Sequence, residues 1–521
     1  MRELIFISVL TSSAASAQTP FFQRHLDDRA AEAPIVLDSS FEDSFDDPDR
    51  PGTCPLVNEA KQALARPDAG TLAGVKAAFA IRSADKSAGA AEGPAGSGRY
   101  VTVTLAVASD AGIVGTCIHE TTIGHRNAHR VQEHFGAWNP LVGNRFTMWV
   151  TTSVNEDGDF GWVLVPRVYT LENGALLIDR RATAAEVKRF GAAYAKCKDC
   201  RELQFASKEF EAWAKKVEAE PKPDVITVPD AIRAINVPLE LSGLRWFAPM
   251  ERYLAVSDDT GLEGNKRRGF SPAAPPAHKG APYLFTMSKS GVIDDQPIIL
   301  EGVERVDDLE SITTAAPGEF FAVTSHSLTR KGKSRAERKQ LLRIQRSEDG
   351  KFAVKESLDL DALGLTKLAG GQLDVEAVEW RAKVLYLGLK APLDPKGRAQ
   401  IITLDLETKT FVKWASVELV VNGIKQGVTD LLFLPDGRLL LVSNQPKQPD
   451  MTDFGGALWR LDKPDAAPVL IQHFPGLKPE GLSFTPDGKK LKVVFDRGPG
   501  VPQWLEVALP PPTASPPRAL P

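Results

Sequence analysis

The chain has 521 residues, of which 25% are charged and 43% hydrophobic, and a formal net charge of −4. That balance excludes a polycation built to coat nucleic acid and a chain too polar to bury a core, and the length predicts more than one domain. Its 38 prolines and 41 glycines suit a turn-rich β protein better than a helical one.

The first 17 residues, MRELIFISVLTSSAASA, carry Arg2, a short apolar run from Leu4 to Leu10 and a small-residue stretch at Ala15–Ala17. This is the pattern of a cleaved export signal, too short to span a bilayer. A periplasmic or secreted location follows as an expectation, with no stable membrane insertion. The four cysteines, Cys54, Cys117, Cys197 and Cys200, fit that compartment as disulfides. Cys197 and Cys200 form a CxxC, but no thioredoxin-like βαβ pattern precedes it.

Residues 18–53 are acidic and broken by proline, and read as a disordered leader. Residues 54–218 read as a small α+β domain. Helices are expected at 55–66, 183–196 and 206–218, and strands at 99–108, 145–153 and 160–170. The stretch 117–136 holds His119, His125, His129 and His134, with His125 and His129 four apart. That is a helical zinc spacing, although a polar surface segment explains it as well. The two prolines of EAEPKPD (218–224) close the helical pattern.

From 225 to 510 helical periodicity gives way to short β-branched and aromatic runs between Pro-Asp-Gly and Gly-Lys turns. LSGLRWF, LESITTA, VEAVEWR, VTDLLFL and PEGLSFT recur, each followed after a turn by a second apolar run. Leu244, Ile312, Val378, Leu431 and Leu482 fall at equivalent places, 68, 66, 53 and 51 residues apart. A four-strand unit repeated at this spacing predicts a mainly β fold, a five-bladed β-propeller, with a six-bladed one as the alternative. The fifth unit lacks an outer strand, which DAIRAINVPL (230–239) is expected to supply. Residues 511–521 form a Pro-rich tail.

The first strand of a blade lines the central channel, so carboxylates at its start face a wet mouth rather than a dry core. This accounts for Glu310, Glu376, Asp430 and Glu480, with Asp308 and Asp374 two residues upstream of the first two. Ser242 stands at the remaining blade. The antiparallel second strand returns to the same mouth, bringing Asp258, His326, Lys390, Asn444, Asp496 and Arg497. Converging oxygens suit calcium, or acid–base work among crowded carboxylates. Glu379, three residues beyond Glu376, is expected on the opposite face of its strand. Basic loops at Lys266–Arg268, Arg330–Arg338 and Lys390–Arg398 suggest an anionic small ligand. On this reading Glu310, Glu376, His326, Lys390 and Arg398 are catalytic candidates. Glu310 or Glu376 would serve as base, with Lys390 and Arg398 steadying developing charge.

DVEAVEW, VLYLGLKAPL and GRAQIITLDL within 374–406, with DLESIT (308–313), LTRKGKSRAERKQLLRI (328–344) and PEGLSF (479–484), resemble the bacterial propeller family catalogued as domain of unknown function 3616. More distantly they are similar to the esterase-like phytase propellers, through the Asp-x-Glu-small-aliphatic pattern at 308–312 and 374–378. The resemblance covers about 240–500 and implies a propeller, with no established reaction. Blade four departs from it, with Thr429-Asp430 in place of Glu-small. Two functions are expected on these grounds. One is a phosphate- or carboxylic-ester hydrolase, and the other a non-catalytic glycan- or protein-binding propeller with a structural calcium.

Overall fold

The computed structural model describes residues 35–37, 62, 65, 70–72, 75–85, 99–109, 112–118, 145–156, 159–172, 175–196, 207–235, 239–258, 282–328, 333–444, 455–497 and 501–511. The signal-like start, most of the acidic leader, Cys54, Cys197, Cys200, the cysteine side chain at 117, the four clustered histidines and the tail beyond 511 lie outside them, as does most of the helix expected at 55–66. The chain forms two compact units, which part between Pro221 and Lys222.

In the first unit, a five-stranded antiparallel sheet is ordered Ile35–Leu37, Gly112–Ile118, Arg99–Ser109, Val75–Asp85, Gly70–Leu72. A second sheet joins Arg145–Glu156, Asp159–Glu172 and Ala175–Ile178. Helices run over Arg180–Tyr194 and Ser207–Ala219. Arg180 grips Glu220 through two hydrogen bonds, of 3.1 and 2.8 Å.

The second unit is a five-bladed propeller. Blade one runs through Leu241–Phe247, Arg252–Ser257, Tyr283–Met287 and Ile298–Glu301, and blade two through Leu309–Ala316, Glu319–Thr324, Gln340–Arg346 and Phe352–Asp359. Blade three comprises Asp374–Arg381, Val384–Ala391, Ala399–Asp405 and Thr410–Val417. Blade four comprises Gly427–Phe433, Leu439–Asn444, Gly455–Leu461 and Val469–Pro475. Blade five takes Lys478–Phe484, Lys490–Asp496 and Gln503–Ala508 from the end of the chain. The outer strands of blades one and two also pair in parallel, Leu300 with Phe352, which fuses those blades into one sheet.

The ring closes differently from the expectation. Residues 230–235 are a short helix, not the missing outer strand. The strand that completes blade five is Asp224–Val225, paired with Trp504 and Gln503. Ile226 then donates to Pro502, Thr227 donates to Gly291 and Ile293 donates back to Thr227, so one short segment bonds both the last blade and the first. Pro229 fixes the turn that follows, and Ala231, Ile232, Arg233 and Ala234 favour a helix there.

Five buried apolar clusters occupy the five interfaces between neighbouring blades. Leu244, Ile312, Val378, Leu431 and Leu482 are fully buried, one in each cluster. Their equivalence confirms the repeat. Blade interfaces of this kind supply most of the stabilisation, roughly 25 cal/mol per Å² of apolar surface removed from water.

Candidate functional site

Each innermost strand is interrupted by a β-bulge at the same place. The register slips between Leu241 and Gly243, Leu309 and Ser311, Val375 and Ala377, Val428 and Asp430, and Pro479 and Gly481. The extra residue of a bulge is left unpaired and is re-aimed. These residues are Ser242, Glu310, Glu376, Thr429 and Glu480, and they form one ring at the mouth of the channel. The residue before each bulge pair gives a second ring: Glu240, Asp308, Asp374, Gly427 and Lys478. The ends of the second strands give a third: Asp258, Ser325, Lys390, Asn444 and Asp496.

Two predicted members are therefore one residue out of place. Thr429, not Asp430, stands at the position of Glu310, Glu376 and Glu480. Ser325, not His326, stands at the position of Lys390 and Asp496. The same bulge overturns the assignment of Glu379 to the opposite face: it inserts a residue into the alternation, and Glu379 points into the channel with Asp430.

Below the mouth, the channel is filled by a charge cluster that sequence reasoning missed. Arg245 of blade one reaches across it. Its guanidinium pairs with Asp430 of blade four at 2.8 Å and Glu379 of blade three at 3.2 Å, and donates to the carbonyls of Leu244, Leu431 and Leu482. Asp430 also accepts from Ser311 Oγ at 3.1 Å and from the backbone N–H groups of Leu431 and Leu482. Glu379 accepts from Thr313 Oγ1 at 2.8 Å. Burial raises the pKa of both carboxyls, and Arg245 opposes it. The guanidinium remains charged, because its acidic partners outweigh its own burial. Asp430 is thus a structural anion with its lone pairs engaged.

At the mouth, Lys390 sits between Glu376 at 3.1 Å and Glu480 at 3.5 Å. Burial alone would strip its proton, but the two carboxylates outweigh burial and hold it as an ammonium. Lys390 thus reaches from blade three to blade five across blade four, where Gly427 and Thr429 carry no charge. A Cβ on Gly427 would lie 2.1 Å from the Lys390 carbonyl oxygen and 2.4 Å from its Cα. Gly427→Ala should therefore lower the urea midpoint, at an overpacking cost of about 1–3 kcal/mol. An unchanged midpoint would show that Lys390 is not held by this contact. Lys478 pairs with Glu480 at 2.7 Å and Asp496 at 2.6 Å, and is likewise held protonated against its burial.

The remaining candidates divide. Asp308 pairs with Arg338 at 2.8 Å and accepts from Ser325 and Ser327. Asp374 lies beside Glu310 in the mouth. Arg398 is bound within its own loop, to Asp394 at 2.7 Å, rather than at the rings. His326 has Nδ1 on the Thr324 carbonyl at 2.7 Å, and burial pushes its pKa down to about 4. The imidazole is 2% exposed and one residue past the ring position, and its lowered pKa makes it a weak base.

Glu310 differs from all of these. It is 6% exposed, and among the described residues its carboxyl makes no hydrogen bond or ion pair. Burial, reinforced by Glu376 and Asp308, holds its pKa well above the usual carboxylate range.

The donor set does not fit calcium. Glu376 and Glu480 already face Lys390 and Lys478, Asp308 faces Arg338, and Asp430 lies below with Arg245. Calcium could take these four carboxylates only by displacing the protein's own cations. Among the described residues no group of three or more His, Cys, Asp or Glu is disposed to hold a metal.

No family model matches the chain, and no curated protein matches it. Among solved structures it is similar to the Dos1 propeller, at 10% identity over 53% of this chain and 73% of that one, with a TM-score of 0.27. An exo-β-1,3-galactanase from Phanerochaete chrysosporium matches at 10% identity over 55% of this chain and 63% of that one, TM-score 0.34. The α-L-arabinofuranosidase of Podospora anserina matches at 10% identity over 55% and 94%, TM-score 0.33. The chain spans less than two thirds of the galactanase. Likenesses this weak carry no argument about activity, and the class rests on the blades themselves: a five-bladed propeller with a carboxylate-rich mouth over a plugged channel.

Proposed function

We propose that the propeller binds a small polar molecule at its mouth and exchanges a proton with it through Glu310, as the acid–base group of a hydrolase. The supporting observation is the carboxyl of Glu310, buried and, among the described residues, without a hydrogen bond or ion pair, while Glu376, Glu480 and Asp308 face Lys390, Lys478 and Arg338. A carboxyl whose pKa is moved towards the working pH can both hold and release a proton, which is what general acid–base catalysis requires. Glu376, ion-paired with Lys390 at 3.1 Å, stands in the same ring. A carboxylic ester suits this mouth better than a phosphate ester, because the three rings carry eight carboxyl side chains against two lysines. No ring position holds an aromatic side chain on which a sugar could stack, so a glycan-binding propeller has less support. Membership of the bacterial propeller family catalogued as domain of unknown function 3616 belongs to the same proposal, carried by motifs such as DVEAVEW and VLYLGLKAPL.

Glu310→Gln tests this reading. Hydrolysis of 4-nitrophenyl acetate should fall about 100-fold or more in the variant, and 4-nitrophenyl phosphate should be a poor substrate of both proteins. Retained turnover in the variant sinks the assignment. Stability should move the other way. A carboxyl with a raised folded-state pKa binds its proton more tightly folded than unfolded. The wild type therefore loses stability as pH rises above about 4.3, the unfolded value, until the folded-state value is passed. The glutamine variant escapes that loss, so it should match the wild type near pH 4 and exceed it at neutral pH. The excess should be about 1.4 kcal/mol for every pH unit that separates the folded-state from the unfolded-state value.

A further inference from the structure

We infer that the molecule received at the mouth carries a protonated amine, whose ammonium group stands against the unpartnered carboxyl of Glu310. The inference rests on the acid–base role of Glu310 and extends it to the class of ligand. Two independent observations carry it. The first is Glu310 itself, 94% removed from solvent by its 6% exposure, placed by its bulge in the mouth ring, and without a hydrogen bond or ion pair among the described residues. The second is the charge around it. Asp308 precedes it on its own blade, Glu376 and Asp374 face it from blade three, and among the described residues Lys390 and Arg338 are cations that act on it. Both cations are already engaged, Lys390 by Glu376 and Glu480, Arg338 by Asp307 and Asp308.

An anionic ligand, expected from the basic loops, would meet this surplus of carboxylates with no uncommitted lysine or arginine in the described rings. An ammonium instead meets an acceptor that has no cation of its own among the described residues. Its approach lowers the affinity of Glu310 for its proton, which leaves to solvent, and a carboxylate–ammonium pair replaces the neutral acid. The ligand thereby converts Glu310 into the base form that a hydrolytic step uses.

Three matched probes separate the possibilities: the methyl esters of Nα-acetyl-lysine, Nα-acetyl-norleucine and Nα-acetyl-glutamate, which place a cation, no charge and an anion on similar frames. Calorimetric titration of the full chain at pH 7, in two buffers of different ionisation enthalpy and over a time in which chromatography recovers each ester intact, reads both affinity and the protons released on binding rather than by hydrolysis. The lysine ester should bind at least about tenfold tighter than either other probe and release close to one proton. In Glu310→Gln, checked by circular dichroism to be folded, the release should vanish and the preference for the cation should collapse. Preference for the norleucine or glutamate ester overturns the amine inference, and if its binding still exchanges a proton through Glu310, the acid–base reading survives. Binding of the lysine ester without proton release overturns the inference as well. Failure of all three probes to bind counts against it equally, and the ester-hydrolysis comparison then decides the acid–base reading separately.

Discussion

Replacing Arg245 by methionine should cost the propeller about 3–5 kcal/mol, because it strands Glu379 and Asp430 as uncompensated buried charges. Arg245 and Asp430 are 5% and 0% exposed, and Glu379 is 7% exposed, so water cannot substitute for the guanidinium without opening the channel. The carbonyls of Leu244, Leu431 and Leu482 lose a donor in the same step. The combined variant Arg245→Met, Glu379→Gln, Asp430→Asn removes all the charges at once and should recover much of the loss, since a buried ion pair often does no more than match neutral packing. Urea denaturation of the three proteins makes the comparison. If the single variant stays within about 1 kcal/mol of the wild type, a range typical of surface changes, the plug is not a plug.

The second large effect belongs to Lys390→Met. It removes the ammonium that Glu376 shares with Glu480, while Glu480 keeps Lys478 at 2.7 Å. Glu376, 5% exposed, is left unpaired, again at a cost of about 3–5 kcal/mol at neutral pH. The deficit should depend on pH with a definite sign. Without its cation, Glu376 binds a proton more tightly folded than unfolded, so the variant gains stability relative to the wild type as pH falls towards about 4.3. A deficit that is constant from pH 4 to pH 8 would show that the lysine acts through packing alone.

The repeat was legible because blade cores need apolar residues at a fixed place, and LSGLRWF, LESITTA, VEAVEWR, VTDLLFL and PEGLSFT display that place openly. The mouth was legible in outline, since acids at the head of an apolar strand are costly unless they face water or a partner. What escaped was the bulge. A β-bulge has no compulsory side chain, and a plain alternation carried through it assigned Glu379 to the wrong face and drew Asp430 into the ring in place of Thr429. Arg245 left a signal that was available: an arginine inside LSGLRWF, an aspartate inside VTDLLFL and a glutamate inside VEAVEW are each costly alone. Three such residues in equivalent strands of one ring balance only by meeting in the channel. The closing strand escaped for a different reason. Asp224–Val225 is two residues long, too short to show any period, and its pairing is decided by Ile226 and Thr227 bonding both neighbouring blades.

Infrared difference spectroscopy of wild type against Glu310→Gln tests the role of Glu310 most directly. The difference should contain the C=O stretch of one protonated carboxyl at pH values above the range in which an ordinary glutamate ionises; it fades as pH is raised further and shifts to the carboxylate bands when the lysine ester binds. If that stretch has already vanished by about pH 5, as it would for an ordinary glutamate, Glu310 holds no proton at the mouth and its acid–base role is contradicted.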